Sequence, residues 1–127
     1  MLQRVLYVDD DEALTELAEL VLEMDDIKLL ACHTVAEAIE KAVDFAPDMV
    51  LIDRQMPDMD GPTTLRKMRA VAGLEDVLAV FLTAENNPER LAERRAAGAA
   101  KVLSKPIEAQ RVTEQLQAVF ARVQESG

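Results

Sequence analysis

The sequence predicts an α/β fold of the (βα)5 type, in which a doubly wound, five-stranded parallel sheet carries helices on both faces. Five short apolar runs alternate with segments of helical periodicity, which is the pattern of repeated strand–helix units. Most of the runs have Val, Ile and Leu at consecutive positions, as strands buried on both faces do. The 127 residues are enough for one domain with its own core, so we expect a single domain over residues 1–127.

The first half of the chain predicts two strand–helix units. Val5–Val8 is the first expected strand, and a helix is expected over Asp11–Met24. The apolar residues expected to form one face of that helix are Leu14, Leu17, Val21 and Met24. Ile27–Cys32 is the second expected strand, and Thr34 is the expected N-cap of the next helix. The apolar positions of this second helix are Val35, Ile39, Ala42 and Val43.

The second half predicts three more units. The expected strands are Met49–Ile52, Val77–Leu82 and Lys101–Leu103. Leu65, Met68 and Ala72 mark a third helix. A fourth is expected between Asn87, which precedes a proline, and Gly98. The last helix has apolar residues at helical spacing: Val112, Leu116, Val119, Phe120 and Val123.

Composition excludes several classes of function. The chain has 24 acidic and 14 basic residues, and its net charge of −10 disfavours binding of nucleic acid by this domain alone or docking to an anionic membrane. Its apolar runs are far shorter than the roughly 20 residues of a membrane span, and the first run is too short for a signal peptide. Cys32 is the single cysteine, so no internal disulfide is expected. We therefore expect a cytoplasmic protein.

Polar residues follow the expected strands where the strands end. In an open parallel sheet, ligands bind at this carboxyl edge. The residues there are Asp9, Asp10, Asp11, Glu12, Asp53, Thr83, Ser104 and Lys105. Oxygen ligands without a cysteine or histidine pattern favour Mg²⁺, and we interpret Cys32 and His33 as packing residues at a strand end. The four acidic residues Asp9–Glu12 could merely cap a helix, but four in a row exceed that need.

These motifs together resemble one family. Val8-Asp9-Asp10, the segment Asp53–Gly61, Thr83-Ala84 and Lys105-Pro106 are similar to the receiver domain of two-component response regulators. The resemblance covers essentially the whole chain and implies a flavodoxin-like strand order 2-1-3-4-5.

The resemblance also implies a role for each motif residue. Asp53 would accept a phosphoryl group, and Thr83 and Lys105 would contact its oxygens. Asp10 and Asp53 would hold Mg²⁺ together with the backbone carbonyl of Gln55, and Asp9 would act through water. The donor would be a sensor histidine kinase or a histidine phosphotransfer protein, and the phosphorylated domain would control an output protein or a linked effector domain. Such a domain is a regulator, with at most slow self-catalysed phosphotransfer and autodephosphorylation.

Two positions near this site carry further expectations. Val102 stands where the family commonly has an aromatic residue, so the usual way of passing on the signal is altered. Gly61 is expected to adopt a backbone conformation that other residues resist.

Two alternatives remain. One is an adaptor of the same fold that is not phosphorylated, although the intact Asp10, Asp53, Thr83 and Lys105 argue against it. The other is a phosphatase of the haloacid dehalogenase kind, because Asp58–Gly61 superficially resembles its nucleophile motif. Proline at position 57, between Asp58 and the preceding strand, argues against that alternative.

Overall fold

A computed structural model describes residues 2–53, 55–56, 59–83, 100–104, 108 and 111–126, and at 55, 56, 59, 104 and 123–126 it describes the backbone only. The described strands are β1 (Arg4–Val8), β2 (Lys28–Cys32), β3 (Met49–Asp53), β4 (Gln55–Met56), β5 (Met59–Asp60), β6 (Leu78–Thr83) and β7 (Lys101–Ser104). The described helices are α1 (Glu12–Met24), α2 (Val35–Phe45), α3 (Gly61–Arg69) and α4 (Val112–Ser126).

The main sheet has five parallel strands in the order β2-β1-β3-β6-β7. This is the order 2-1-3-4-5 when the five long strands are numbered along the chain, so the predicted fold is confirmed. The register pairs Val8 with Ile52 and Asp53 with Leu82, which aligns the carboxyl ends of the three central strands. The two-residue strands β4 and β5 form a separate antiparallel pair after β3, which the sequence analysis did not predict.

Apolar side chains cover both faces of the sheet. All five residues of β3 are buried, as expected for a strand covered on both sides. Successive residues of β1 point to opposite faces, because side chains alternate along a strand. Tyr7 accordingly joins one apolar cluster with residues of α1 and α4, whereas Leu6 and Val8 join the other with residues of α2 and α3. Together the two clusters form the core.

Side-chain caps fix where three helices begin. Asp11 accepts a hydrogen bond from the backbone N–H of Leu14, so α1 begins at Glu12 and not at Asp11. Thr34 caps α2 as predicted. Asp60 caps α3 by accepting from the N–H of Thr63.

The predicted buried face of α1 is wrong by about one residue. Leu17 and Met24 are 39% and 78% exposed, and the buried residues are Thr15, Ala18 and Leu22. The small residues Thr15 and Ala18 lie on the buried face, so large apolar residues alone indicate the wrong face. In α2 a small residue is likewise buried in place of a large one: Ala38 is buried, whereas Val43 is 56% exposed.

Two expectations about α3 and its ends are also wrong. The helix ends at Arg69, because the chain turns after Ala70, and Ala72 lies beyond it. Gly61 is the first residue of α3 and is not among the residues with positive φ, so it lacks the expected unusual backbone conformation. Among the described glycines, positive φ occurs at Gly73, in the turn that follows α3.

Other expectations need only small changes. Ile27 and Val77 precede their strands, while Asp53, Thr83 and Ser104 are the final residues of theirs. In α4, Val112, Leu116 and Val119 are buried as predicted, with Phe120 partly buried against the same cluster. The helix expected between Asn87 and Gly98 lies outside the described residues. Within the described part of the chain, no helix is both long and apolar enough to cross a membrane.

Candidate functional site

Three carboxylates meet at the carboxyl edge of the sheet. Asp9 and Asp10 follow β1, and Asp53 ends the neighbouring β3. One oxygen from each side chain can be chosen so that the three atoms lie within 4.8 Å of one another. Asp9 and Asp53 are buried, whereas Asp10 is exposed. We call these three residues the acidic site.

The Asp9 carboxylate is held on both of its oxygens. The Tyr7 hydroxyl donates to Oδ2 at 2.7 Å, and the backbone N–H of Asp11 donates to Oδ1 at 2.9 Å. Burial, and then the hydrogen bond and charge of Asp9, raise the pKa of Tyr7 far above its ordinary value, so the phenol is a donor at neutral pH. This contact was not predicted from the sequence. A tyrosine two positions before an aspartate at the end of a strand is the available signal, because residues i and i+2 share a face in extended backbone.

Asp53 lies beside Thr83. In the register of β3 and β6, Asp53 is opposite Leu82, the residue before Thr83, and Asp53 and Thr83 are 4% and 2% exposed. Two polar side chains buried at the ends of adjacent strands are unusual unless they are hydrogen-bonded or bind a ligand. The structure therefore places Thr83 at the same sheet edge as the acidic site.

The remaining predicted site residues are described in part or not at all. Gln55 is described by its backbone, in β4 two residues after Asp53. Lys105 lies outside the described residues, directly after the end of β7. Arg54, Pro57, Asp58 and Ala84 of the motifs also lie outside them. Asp60, which belongs to the phosphatase-like motif, caps α3 with its side chain.

Cys32 and His33 take no part in a described cluster of metal ligands. Cys32 is fully buried, and burial, followed by the charge of Glu37, raises the pKa of its thiol to about 11. His33 Nε2 is 3.2 Å from Thr15 Oγ1, and its backbone N–H donates to Glu37. These contacts agree with the interpretation of both residues as packing residues.

The donor set of the acidic site suits a hard divalent cation. It consists of oxygens alone, and three carboxylates this close repel one another unless positive charge is bound among them. Mg²⁺ takes one or two carboxylates and keeps waters or phosphate oxygens in its remaining positions. The residues present therefore fit Mg²⁺.

The fold and the site define a doubly wound α/β domain with an acidic centre at the carboxyl edge of its sheet. The family is shown by direct comparison: residues 5–117 match the response regulator receiver domain. The chain belongs to this family, so it is a receiver domain of the two-component signalling systems. The family is one of signalling regulators and not of classical enzymes. Membership also removes the haloacid dehalogenase alternative.

Similar proteins agree with this assignment. The chain is 31% identical over 121 residues to the transcriptional regulatory protein TrcR of Mycobacterium tuberculosis, covering 94% of this chain and 46% of TrcR. It is 30% identical over 122 residues to the response regulator protein GraR of Staphylococcus aureus, covering 96% of this chain and 53% of GraR. The chain thus spans about half the length of these curated relatives.

Solved structures show the same fold. The chemotaxis response regulator CheY4 of Vibrio cholerae superposes with a TM-score of 0.84 at 27% identity, covering 94% of this chain and 99% of that one. A CheY-like receiver domain protein of Methanospirillum hungatei gives the same TM-score at 24% identity, with both chains covered completely.

Proposed function

We propose that this domain accepts a phosphoryl group on Asp53 and thereby switches the activity of an output protein or a linked effector domain. The donor is the phosphohistidine of a sensor histidine kinase or of a histidine phosphotransfer protein. The observation that carries the proposal is a buried carboxylate at the carboxyl edge of the sheet with two further carboxylates beside it. Membership of the receiver family supports the same assignment.

In the proposed step, a carboxylate oxygen of Asp53 attacks the phosphorus of the donor. The new P–O bond forms as the P–N bond to the donor imidazole breaks, and the electron pair of that bond stays on the imidazole nitrogen. Before the reaction, the Asp53 carboxylate lies near the carboxylates of Asp9 and Asp10. Mg²⁺ bound at the acidic site would supply charge neutralisation for the incoming phosphoryl oxygens.

We assign the metal ligands and the phosphoryl contacts as follows. Asp10, Asp53 and the backbone carbonyl of Gln55 would hold Mg²⁺, and Asp9 would act through water. Lys105 pairs with one phosphoryl oxygen, and the Thr83 hydroxyl donates to another. The position of Thr83 at the end of β6, next to the end of β3, supports its part in this arrangement.

The experiment uses the chain with Mg²⁺ and a phosphohistidine donor or a small-molecule phosphodonor. Intact-protein mass spectrometry counts the phosphoryl groups that are added, and alkaline treatment tests whether they form an acyl phosphate. We expect wild type to accept one group and Asp53→Asn to accept none. Asp76→Asn, which alters an exposed carboxylate before β6 at the opposite sheet edge, should behave as wild type.

Two results would contradict the proposal. Stoichiometric labelling of Asp53→Asn would show that another residue is the acceptor. Failure of wild type to accept phosphoryl groups from every donor, with its fold intact, would favour the adaptor of the same fold that is not phosphorylated.

A further inference from the structure

Tyr7 is a polar residue in an apolar environment. Its side chain is completely buried in the apolar cluster that lies between the sheet and the helices α1 and α4. Burying a hydroxyl costs free energy unless it is hydrogen-bonded, and packing alone would be satisfied by phenylalanine. The hydroxyl donates to the Asp9 carboxylate at 2.7 Å, an ordinary length for an O–H···O hydrogen bond. The contact thus connects the core directly to the acidic site.

The second bond to Asp9 comes from a different element. Oδ1 accepts from the backbone N–H of Asp11, the residue that caps α1, while Oδ2 accepts from Tyr7 on β1. Donors on both oxygens limit rotation of the carboxylate. Without the Tyr7 bond, repulsion by Asp10 and Asp53 favours turning of the Asp9 side chain away from them.

We propose that Tyr7 is a positioning residue for the acidic site: its hydroxyl holds the Asp9 carboxylate facing Asp10 and Asp53 and so sets the affinity of the site for a divalent cation. The proposal rests on the proposed function insofar as that function requires Mg²⁺ at the acidic site. Loss of a hydrogen bond to a metal-site carboxylate commonly weakens metal binding by about tenfold or more. A merely structural role for Tyr7 would lower stability and leave the affinity unchanged.

Tyr7→Phe tests the proposal because it removes the hydroxyl and keeps the ring. Calorimetric titration with Mg²⁺ gives the dissociation constant, and thermal unfolding monitored by circular dichroism checks the fold. We expect the dissociation constant to rise about tenfold. The matched control is Thr113→Val, which removes a buried hydroxyl from α4 and should leave the affinity unchanged.

A double-mutant cycle shows whether Tyr7 acts through Asp9. We expect Asp9→Ala and Tyr7→Phe/Asp9→Ala to bind Mg²⁺ with equal, weakened affinity. A second measurement needs no variant: Tyr7 is the single tyrosine and the chain has no tryptophan, so near-ultraviolet absorption reports on this hydroxyl. We expect the tyrosine spectrum to change as Mg²⁺ is added, and the midpoint of that change to equal the midpoint measured by calorimetry.

The outcomes separate this proposal from the proposed function. Three results would overturn the role of Tyr7 and leave the proposed function standing. The first is wild-type Mg²⁺ affinity in Tyr7→Phe, and the second is an equal loss of affinity on Tyr7→Phe in wild type and in Asp9→Ala. The third is a tyrosine spectrum that does not change when Mg²⁺ is added. Absence of Mg²⁺ binding by wild type would overturn both proposals.

Discussion

At the residue scale, Cys32 illustrates how burial controls reactivity. The thiol is fully buried at the end of β2, and its pKa is raised to about 11, first by burial and then by the charge of Glu37. The reactive form of cysteine is the thiolate, so the native thiol is both protonated and inaccessible at neutral pH. A thiol-reactive reagent should therefore label Cys32 at least about 100-fold more slowly in the native protein than in urea, because reaction requires opening of the core.

The labelling rate is measured by mass spectrometry at neutral pH. A Cys32→Ala/Glu40→Cys variant, with its cysteine on the exposed side of α2, is the control and should react rapidly in both conditions. Equal native and unfolded rates for Cys32 would contradict the burial argument.

The positions of the three site carboxylates could be predicted at this scale, because each follows or ends an apolar run and such ends meet at one sheet edge. The bond from Tyr7 to Asp9 could not be predicted in the same way. It depends on the rotation of both side chains and on α1 covering the ring, and these follow from the packed structure.

At the element scale, the beginning of α2 combines two reciprocal contacts. Thr34 Oγ1 accepts from the N–H of Glu37, and the Glu37 carboxylate accepts from the N–H of His33 at 2.9 Å. The pKa of Glu37 is held below its usual value, chiefly by the His33 bond and further by Lys41, against the opposing effect of burial. A lowered pKa in the folded state adds stability above the ordinary pKa, and that stability is lost as pH falls through the folded-state pKa.

Glu37→Gln should therefore destabilise the protein near neutral pH, and this destabilisation should decrease as the pH falls. The Glu37 side chain is 35% exposed, so solvent screening limits the effect at neutral pH to on the order of 0.5 kcal/mol. Urea unfolding of wild type and variant at about pH 7 and about pH 3 measures the difference. Glu40→Gln, an equal charge change at an exposed position of α2, controls for net charge. If wild type and Glu37→Gln differed in their free energy of unfolding by the same amount at both pH values, this linkage would be ruled out.

The four described helices and the Thr34 cap of α2 could be predicted from the sequence, whereas the buried face of α1 could not. Leu14 and Val21 fit both the predicted and the observed stripe, so periodicity alone leaves the rotation of the helix open. The burial of the small Thr15 and Ala18 residues decides it. The hairpin of β4 and β5 escaped prediction for a related reason, because two-residue strands have no periodicity to detect.

At the scale of the whole molecule, the acidic site connects β1 and β3, which are neighbouring strands of the sheet. Asp9 and Asp10 follow β1, Asp53 ends β3, and the chain as a whole carries a net charge of −10. Repulsion among the three carboxylates opposes folding, because these groups are farther apart in the unfolded chain. A cation bound to the native site relieves that repulsion and stabilises the folded state in proportion to its affinity.

Asp10→Asn separates these two effects. The variant keeps an exposed polar side chain of similar shape but removes one of three clustered charges, so without divalent cations it should melt a few degrees above wild type. Millimolar Mg²⁺ should raise the midpoint of wild type and leave that of Asp10→Asn nearly unchanged, because the site has lost a ligand. Thermal unfolding with and without Mg²⁺ measures both shifts, with Asp76→Asn as a control that removes the same charge at the opposite sheet edge.

If Asp76→Asn raised the midpoint as much as Asp10→Asn, net charge and not the acidic site would be the source of the repulsion. If Asp10→Asn kept the full gain from Mg²⁺, the cation would be held by other residues.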